Sequence, residues 1–106
     1  MLAAGRGRMP GFRLTREADE DVVRLYVDGA GQFGFEQAER YYADLWRTFA
    51  FLAEHPFAAR ERTEFKPPVR IHPFRSHVIV YRAGNGPVQV LRVRHARENW
   101  EADPTG

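Results

Sequence analysis

The side chains that could carry out chemistry are concentrated between positions 70 and 97. This stretch contains six arginines, three histidines and no acidic residue. General acid–base catalysis needs a group that titrates near neutrality beside a group that stabilises developing charge. His95 and Arg75, with Glu64 from the preceding loop, would supply such a set for cleaving an RNA phosphodiester. Because no spacing rule links these three residues, the pattern favours the alternative of a histidine that only packs or hydrogen-bonds at a strand end.

The ordering of charge along the chain points to an anionic partner. The net charge is only +2, but the acidic residues all lie before position 70 or in the tail after position 97. They are therefore separated from the six arginines between positions 70 and 97. A basic sheet set against acidic helices favours nucleic acid, an enzyme that acts on nucleic acid, or an acidic peptide. The alternative is that the arginines are solvated groups at strand edges, because single surface charges usually contribute little.

No motif in the sequence indicates a metal or a cofactor. The chain has no cysteine, and His72 and His77 are five residues apart with Pro73 between them, which is not a ligand spacing. The segment 29–31 (Gly-Ala-Gly) joins two predicted helices and so does not form a phosphate-binding loop. Ser76, the only serine, lies between Arg75 and His77 and has no nucleophile context. We predict neither metal nor cofactor.

Hydrophobic periodicity predicts a helical hairpin in the first half of the chain. Residues 12–14 alternate as a short strand, and Thr15 is a suitable N-cap for a helix over 16–28. We expect Gly29 and Gly31 to end that helix, whose acidic residues lie mostly away from its apolar face. A longer helix over 35–54 follows.

The second half predicts three consecutive strands. Residues 69–72 alternate and are followed by Pro73, which favours an edge strand. Residues 77–82 are nearly all apolar, as in a central strand, and 84–86 (Gly-Asn-Gly) predict a hairpin turn into a strand that starts at Val88. The order β-α-α-β-β-β, with the helices on one face of an antiparallel meander, is an α+β fold.

The length of 106 residues suits one domain, over 12–97. We expect 1–11 to be a flexible leader, with either Met1 or Met9 as the native start, and 98–106 to be a frayed tail. No apolar run approaches the roughly 20 residues that span a bilayer, so we predict a cytoplasmic protein without membrane contact.

The order of several short segments resembles ParE-type toxins of the RelE/ParE toxin–antitoxin superfamily. The resemblance covers about residues 12–97 and rests on Phe12-Arg13-Leu14-Thr15, Ala18, Tyr26, Phe33-Gly34, Gln37-Ala38, Tyr41, Leu52-Ala53, Pro56, Arg70, the run from Ser76 to Arg82, and the run from Leu91 to Arg97.

This resemblance implies a toxin that stalls DNA gyrase, has no sequence-specific DNA binding of its own, and is neutralised by a ParD-like antitoxin. RelE- and YoeB-like relatives share the fold but cut messenger RNA in the ribosome, and Glu64, Arg75 and His95 would be the nuclease residues. Lys66 is the only lysine, and no tyrosine lies near the carboxy end. Both departures favour the gyrase-directed branch, where no catalytic set is expected. A degenerate relative that only pairs with an antitoxin is a third alternative.

Two surfaces follow as candidate sites. The target-binding set is Arg70, Arg75, His77, Arg92, Arg94, His95 and Arg97. A second apolar stripe on the longer helix indicates an antitoxin surface, where we expect an amphipathic helix and an extended segment of the antitoxin to dock over the helical hairpin and the sheet edge. Its predicted residues are Tyr26, Tyr42, Trp46 and Phe49.

Overall fold

The computed structural model describes residues 8–9 and 11–106. Its elements, in chain order, are β1 (Arg8–Met9), β2 (Phe12–Leu14), α1 (Arg16–Phe33), α2 (Phe35–Glu54), β3 (Glu61–Arg62), β4 (Val69–Phe74), β5 (His77–Arg82), β6 (Val88–His95) and a 3₁₀ turn (Trp100–Ala102). The predicted leader falls mostly outside the described residues. None of the described helices is both long and apolar enough to cross a bilayer.

The described strands form one mixed sheet in the order β1-β2-β6-β5-β4-β3. β4, β5 and β6 make the predicted antiparallel meander, and the α+β class is confirmed. The sheet extends beyond the prediction because β2 pairs in parallel with β6, with Phe12 opposite Val88 and Leu14 opposite Val90. Sequence patterning finds β2, β4, β5 and β6 but misses the two-residue strands β1 and β3. It also does not show which strands pair when they lie far apart in the chain.

Both helices pack on one face of this sheet. Val22 of α1, Leu45 and Phe49 of α2, and Ile79 and Tyr81 of β5 are fully buried in the common core. Close approach to this layer explains one glycine: a Cβ on Gly11 would lie 2.9 Å from the Cβ of Ala53, and its φ is +90°. The chain entering β2 therefore needs glycine there to lie against α2.

The predicted end of α1 is wrong, because the helix continues through Gly29 and Gly31 to Phe33. A glycine inside a helix costs about 1 kcal/mol relative to alanine but does not end the helix by itself. Gly34 ends it, with φ of 93° and its N–H bonded to the carbonyl of Ala30 at 3.1 Å.

The expectation of a frayed tail is also wrong. Residues 98–106 form the 3₁₀ turn and fold back on the sheet, where Pro104 is buried. Arg94 donates to the carbonyls of Asp103 and Pro104 at 3.0 and 3.1 Å. Backbone carbonyls of the tail thus accept hydrogen bonds from Arg94, which the sequence analysis assigned to target binding.

Candidate functional site

The first candidate surface is the histidine end, which we define as Arg75, His77, His95 and Arg97 at the β4–β5 turn and the end of β6. His77 and His95 are paired in the strand register, and their ring centroids are 5.0 Å apart. Arg75 in the turn has φ of 51°, a left-handed conformation that is uncommon for a residue with a side chain. The antiparallel pairing thus brings His95 next to Arg75 and His77, which lie 18 or more positions earlier in the sequence.

Tyr41 of α2 holds His77 in place. Its hydroxyl lies 2.8 Å from His77 Nδ1 and accepts the Ser76 N–H at 3.3 Å. The hydroxyl donates to Nδ1 in the neutral tautomer of His77 that carries its ring proton on Nε2. Burial lowers the pKa of His77, and the nearby His95 lowers it further. His77 is thus favoured in its neutral form.

Among the described residues, none forms a hydrogen bond with Nε2 of His95. Its Nδ1 accepts the Arg97 N–H at 3.1 Å, so in the neutral ring Nε2 carries the proton and can donate it outward. Arg97 itself is exposed. Together they present donors to a partner at the end of the sheet.

Arg75 contacts other residues of the chain but keeps part of its side chain exposed. Its guanidinium bonds Asp44 at 2.7 Å and lies over the rings of Tyr41 and Phe74, yet its side chain stays 53% exposed. The bond from Arg75 is the main reason that the pKa of Asp44 is lowered. Arg75 can therefore still offer N–H groups to an anionic group.

Three other arginines of the predicted target-binding set are engaged inside the protein. Arg92 makes a two-point contact with Asp21, Nε to Oδ2 at 2.7 Å and Nη2 to Oδ1 at 3.0 Å. Arg70 donates to the carbonyl of Ala59 at 2.6 Å and lies over Phe57. Arg94 bonds Glu98 at 2.9 Å as well as the tail carbonyls. Within the predicted target-binding set, the exposed arginines are therefore those of the histidine end, Arg75 and Arg97.

The predicted nuclease residues do not all come together. Glu64 lies in the loop before β4 and bonds Arg62 at 2.7 Å, whereas Arg75 follows the last residue of β4. A strand of six residues spans roughly 20 Å. The structure therefore places Arg75 near His95 but holds Glu64 at the opposite end of the strand.

The second candidate surface is the aromatic ladder, which we define as Phe35, Tyr26, Tyr42 and Trp46 along the helical hairpin. Successive ring centroids are 6.2, 5.4 and 6.0 Å apart in edge-to-face arrangements. Tyr26 donates to Glu39 at 2.8 Å. Phe35 is 65% exposed at the outer end of the ladder, beside the equally exposed Phe33. A partner could extend this ladder from that end.

Phe49 does not fit its predicted role at an antitoxin surface. Its side chain is fully buried and packs against Phe12 and Trp46 in the core. The periodicity that selected it marks the helix face that meets the sheet, and Tyr26, Tyr42 and Trp46 are only partly buried.

Sequence reasoning missed Asp21 and Tyr41. Asp21 was assigned to the solvent side of α1, but it is 6% exposed and accepts from Arg92 and from the Val93 N–H at 2.9 Å. Its neighbour Val22 and its i+3 relation to Ala18 place it at the border of the apolar face, which is the signal that could have found it. No sequence signal links Tyr41 to His77. Across the described residues, no three histidine or acidic side chains come together as metal ligands would.

Comparison with known proteins identifies the family. The profile described as ParE toxin of type II toxin-antitoxin system, parDE, matches residues 12–100. Toxin ParE1 of Caulobacter vibrioides is 32% identical over 94 residues, which cover 89% of this chain and 97% of that protein. Toxin ParE1 of Mycobacterium tuberculosis is 34% identical over 87 residues, which cover 81% of this chain and 89% of that protein.

A solved structure shares the fold. A chain of the chromosomal ParDE TA system from P. aeruginosa superposes with a TM-score of 0.70 at 21% identity, covering 82% of this chain and 96% of that one. With the family profile matched over nearly the whole domain, the chain belongs to the ParE toxin family of type II toxin–antitoxin systems.

Proposed function

We propose that this toxin binds DNA gyrase through the histidine end and stalls it on DNA in the cytoplasm, without catalysing a reaction itself. The observation that carries the proposal is the selective exposure of this end. Arg70, Arg92 and Arg94 are engaged within the chain, whereas Arg75 and Arg97 remain accessible beside His95. Donors and positive charge on a rigid strand end suit an anionic protein–DNA surface.

A supercoiling assay with purified gyrase tests the proposal. The full chain should inhibit supercoiling and increase the amount of cleaved DNA trapped on gyrase. Unchanged supercoiling and unchanged cleaved complexes at saturating toxin, together with transcript cutting in a translating extract, would contradict it.

We further propose that a ParD-like antitoxin neutralises the toxin by laying an amphipathic segment along the aromatic ladder. Support comes from Phe35 and Phe33, exposed at the end of a packed aromatic row. Large aromatic side chains that are accessible and held by neighbours are typical binding anchors.

A matched pair of variants tests this placement. Phe35→Ala should weaken antitoxin binding by about tenfold, or about 1.4 kcal/mol. Phe51→Ala is the control, because Phe51 is also an exposed phenylalanine of α2 but lies near His55 and His72, away from the ladder. Equal loss in the two variants, measured by titration calorimetry, would argue against the ladder as the contact.

The messenger RNA endonuclease is the second candidate function, and one observation favours it. His77 and His95 form a close pair beside Arg75, a set that contains both a possible base and a charge stabiliser. The distance of Glu64 from this histidine pair disfavours a nuclease, because the predicted carboxylate is then missing from the set. His95→Ala separates the two, since a nuclease that depends on His95 would lose growth inhibition by orders of magnitude, whereas a gyrase binder would lose only part.

A further inference from the structure

The outer face of the sheet lies opposite α1 and α2. No described α-helix packs on it, yet several of its side chains are buried. Val78 and Val80 alternate along β5 with the core residues Ile79 and Tyr81, so their side chains point to the outer face. Both are nevertheless buried, as is Val69. Arg94 lies opposite Val78 in the register and shares this face.

The cover includes residues 98–106, which we call the strap. Arg94 holds it through three oxygen atoms: Glu98 Oε1 at 2.9 Å and the carbonyls of Asp103 and Pro104. Arg92 adds a bond to the carbonyl of Gly106 at 2.6 Å. Two of the three oxygens on Arg94 are neutral carbonyls, which are weaker acceptors for a guanidinium than carboxylates.

A groove separates the strap from the loop between β3 and β4. One wall carries Arg62 and Lys66, and the strap wall carries Glu101 and Asp103. Arg62 bonds Glu64 on its own wall, and no ion pair joins the two walls across the described groove. The strap thus lies beside Lys66, which makes no ion pair with any described residue, and beside Arg62, whose charge Glu64 partly offsets.

Most of the strap is not shared with the family profile. The matched region ends at residue 100, so Glu101, Asp103 and Pro104 lie beyond it. The strap contacts made by Asp103 and Pro104 therefore lie outside the matched region, whereas the contact made by Glu98 lies inside it.

We propose that this outer face is a binding surface for an acidic, extended peptide segment of a partner protein, and that the strap is a built-in competitor for it. The strap shows the chemistry that fits, because it has three acidic residues in nine and a buried proline. A partner carboxylate would replace the carbonyls on Arg94, and Arg62 and Lys66 would take up further acidic side chains. This inference is independent of gyrase as the target.

The composition of the groove favours a peptide over nucleic acid. Phe65, on the wall that the strap does not form, offers an apolar contact to side chains. Backbone carbonyls already occupy Arg94, which shows that the spacing suits a polypeptide.

Fluorescence anisotropy with a labelled peptide of residues 98–106 tests the proposal. The recipient is the full-length double variant Glu98→Gln/Pro104→Gly, which loosens the strap but retains Arg92 and Arg94. It should bind the peptide at least tenfold more tightly than the unaltered chain, and binding should weaken with added salt. Adding Arg94→Ala should abolish the gain, whereas Arg82→Ala, at an exposed arginine at the other end of β5, should not.

A second readout does not depend on folding of the loosened variant. Excess peptide added to the unaltered chain should accelerate hydrogen exchange at Asp103, whose N–H bonds the Trp100 carbonyl within the strap. Equal peptide affinity of unaltered and loosened chains, equal loss with Arg94→Ala and Arg82→Ala, or tighter binding of a single-stranded DNA 12-mer than of the peptide would each overturn the proposal.

Discussion

Two regions of β6 use the same residue type for different purposes. At the α1–β6 junction, which we define as Thr15, Asp21, Leu91, Arg92 and Val93, an arginine is matched to a buried carboxylate and joins a helix to the sheet. At the histidine end, Arg97 is exposed and follows a histidine whose Nε2 bonds no described residue. Arg92 is thus held by a buried carboxylate, whereas the Arg97 guanidinium makes no ion pair within the described residues.

The largest expected effect follows from breaking the junction. Asp21→Ala leaves the Arg92 guanidinium and the Val93 N–H without their acceptor, and removing one partner of a buried ion pair costs about 3–5 kcal/mol. Urea unfolding followed by circular dichroism should show this loss.

Glu20→Ala is the matched control, because Glu20 is the exposed neighbour of Asp21 on α1. Its effect should stay within about 0.5 kcal/mol. An Asp21→Ala variant as stable as the Glu20→Ala variant would show that the junction does not depend on this carboxylate.

Thr15→Ala is a milder break in the same region. The Thr15 hydroxyl accepts from the Ala18 N–H at 3.0 Å and donates to the Leu91 carbonyl at 2.8 Å, so it caps α1 and ties it to β6. Loss of an N-cap costs about 1–2 kcal/mol. Thr15→Ser should recover most of this in the same unfolding experiment, and failure to do so would assign the loss to the methyl group.

His77 of the histidine end should make the free energy of unfolding depend on pH. Burial lowers the pKa of His77 and of His72 in the folded state, so below the unfolded value of about 6.5 the unfolded chain binds more protons. The contribution of these histidines to stability is therefore complete above that pH and declines as the pH falls. His77→Gln should show a smaller drop in unfolding free energy between pH 7.5 and 5.5.

His72→Gln serves as the comparison for this slope, because His72 lies on β4 near Phe51 and away from His95. His72→Gln should also reduce the change of unfolding free energy with pH. The double variant His72→Gln/His77→Gln should show the smallest change. A His77→Gln slope identical to that of the unaltered chain would contradict the account of His77.

The smallest expected effect on stability is that of Arg97→Ala. Arg97 is exposed, and its described hydrogen bond uses the backbone N–H, which alanine retains. Its free energy of unfolding should change by less than about 0.5 kcal/mol. A loss above 1 kcal/mol in thermal unfolding would mean that the guanidinium belongs to the fold.

Sequence patterning predicts the helices and strands better than it predicts which residues the charged side chains contact. The helix over 35–54 and the strand over 77–82 have the bounds expected from periodicity, because both patterns report burial of a regular face. The pairing of β2 with β6, the partner of Arg92 and the folded strap all depend on contacts between distant residues. A pattern with a local period carries no record of such contacts.

The same limit applies to the candidate site. His77 and His95 could be placed together because a hairpin register relates them, whereas Tyr41 comes from a helix with no register to the sheet. Glu64 was grouped with them on chemical type alone, and the length of β4 separates it from them.

Gyrase-dependent DNA cleavage with matched arginine variants tests the central claim most directly. The unaltered toxin and the Arg82→Ala control should trap cleaved DNA on gyrase at the same toxin concentration. Arg75→Ala/Arg97→Ala should need at least tenfold more toxin, about 1.4 kcal/mol of lost binding, while remaining folded. Equal potency of the double variant and the control would contradict the assignment of gyrase binding to the histidine end.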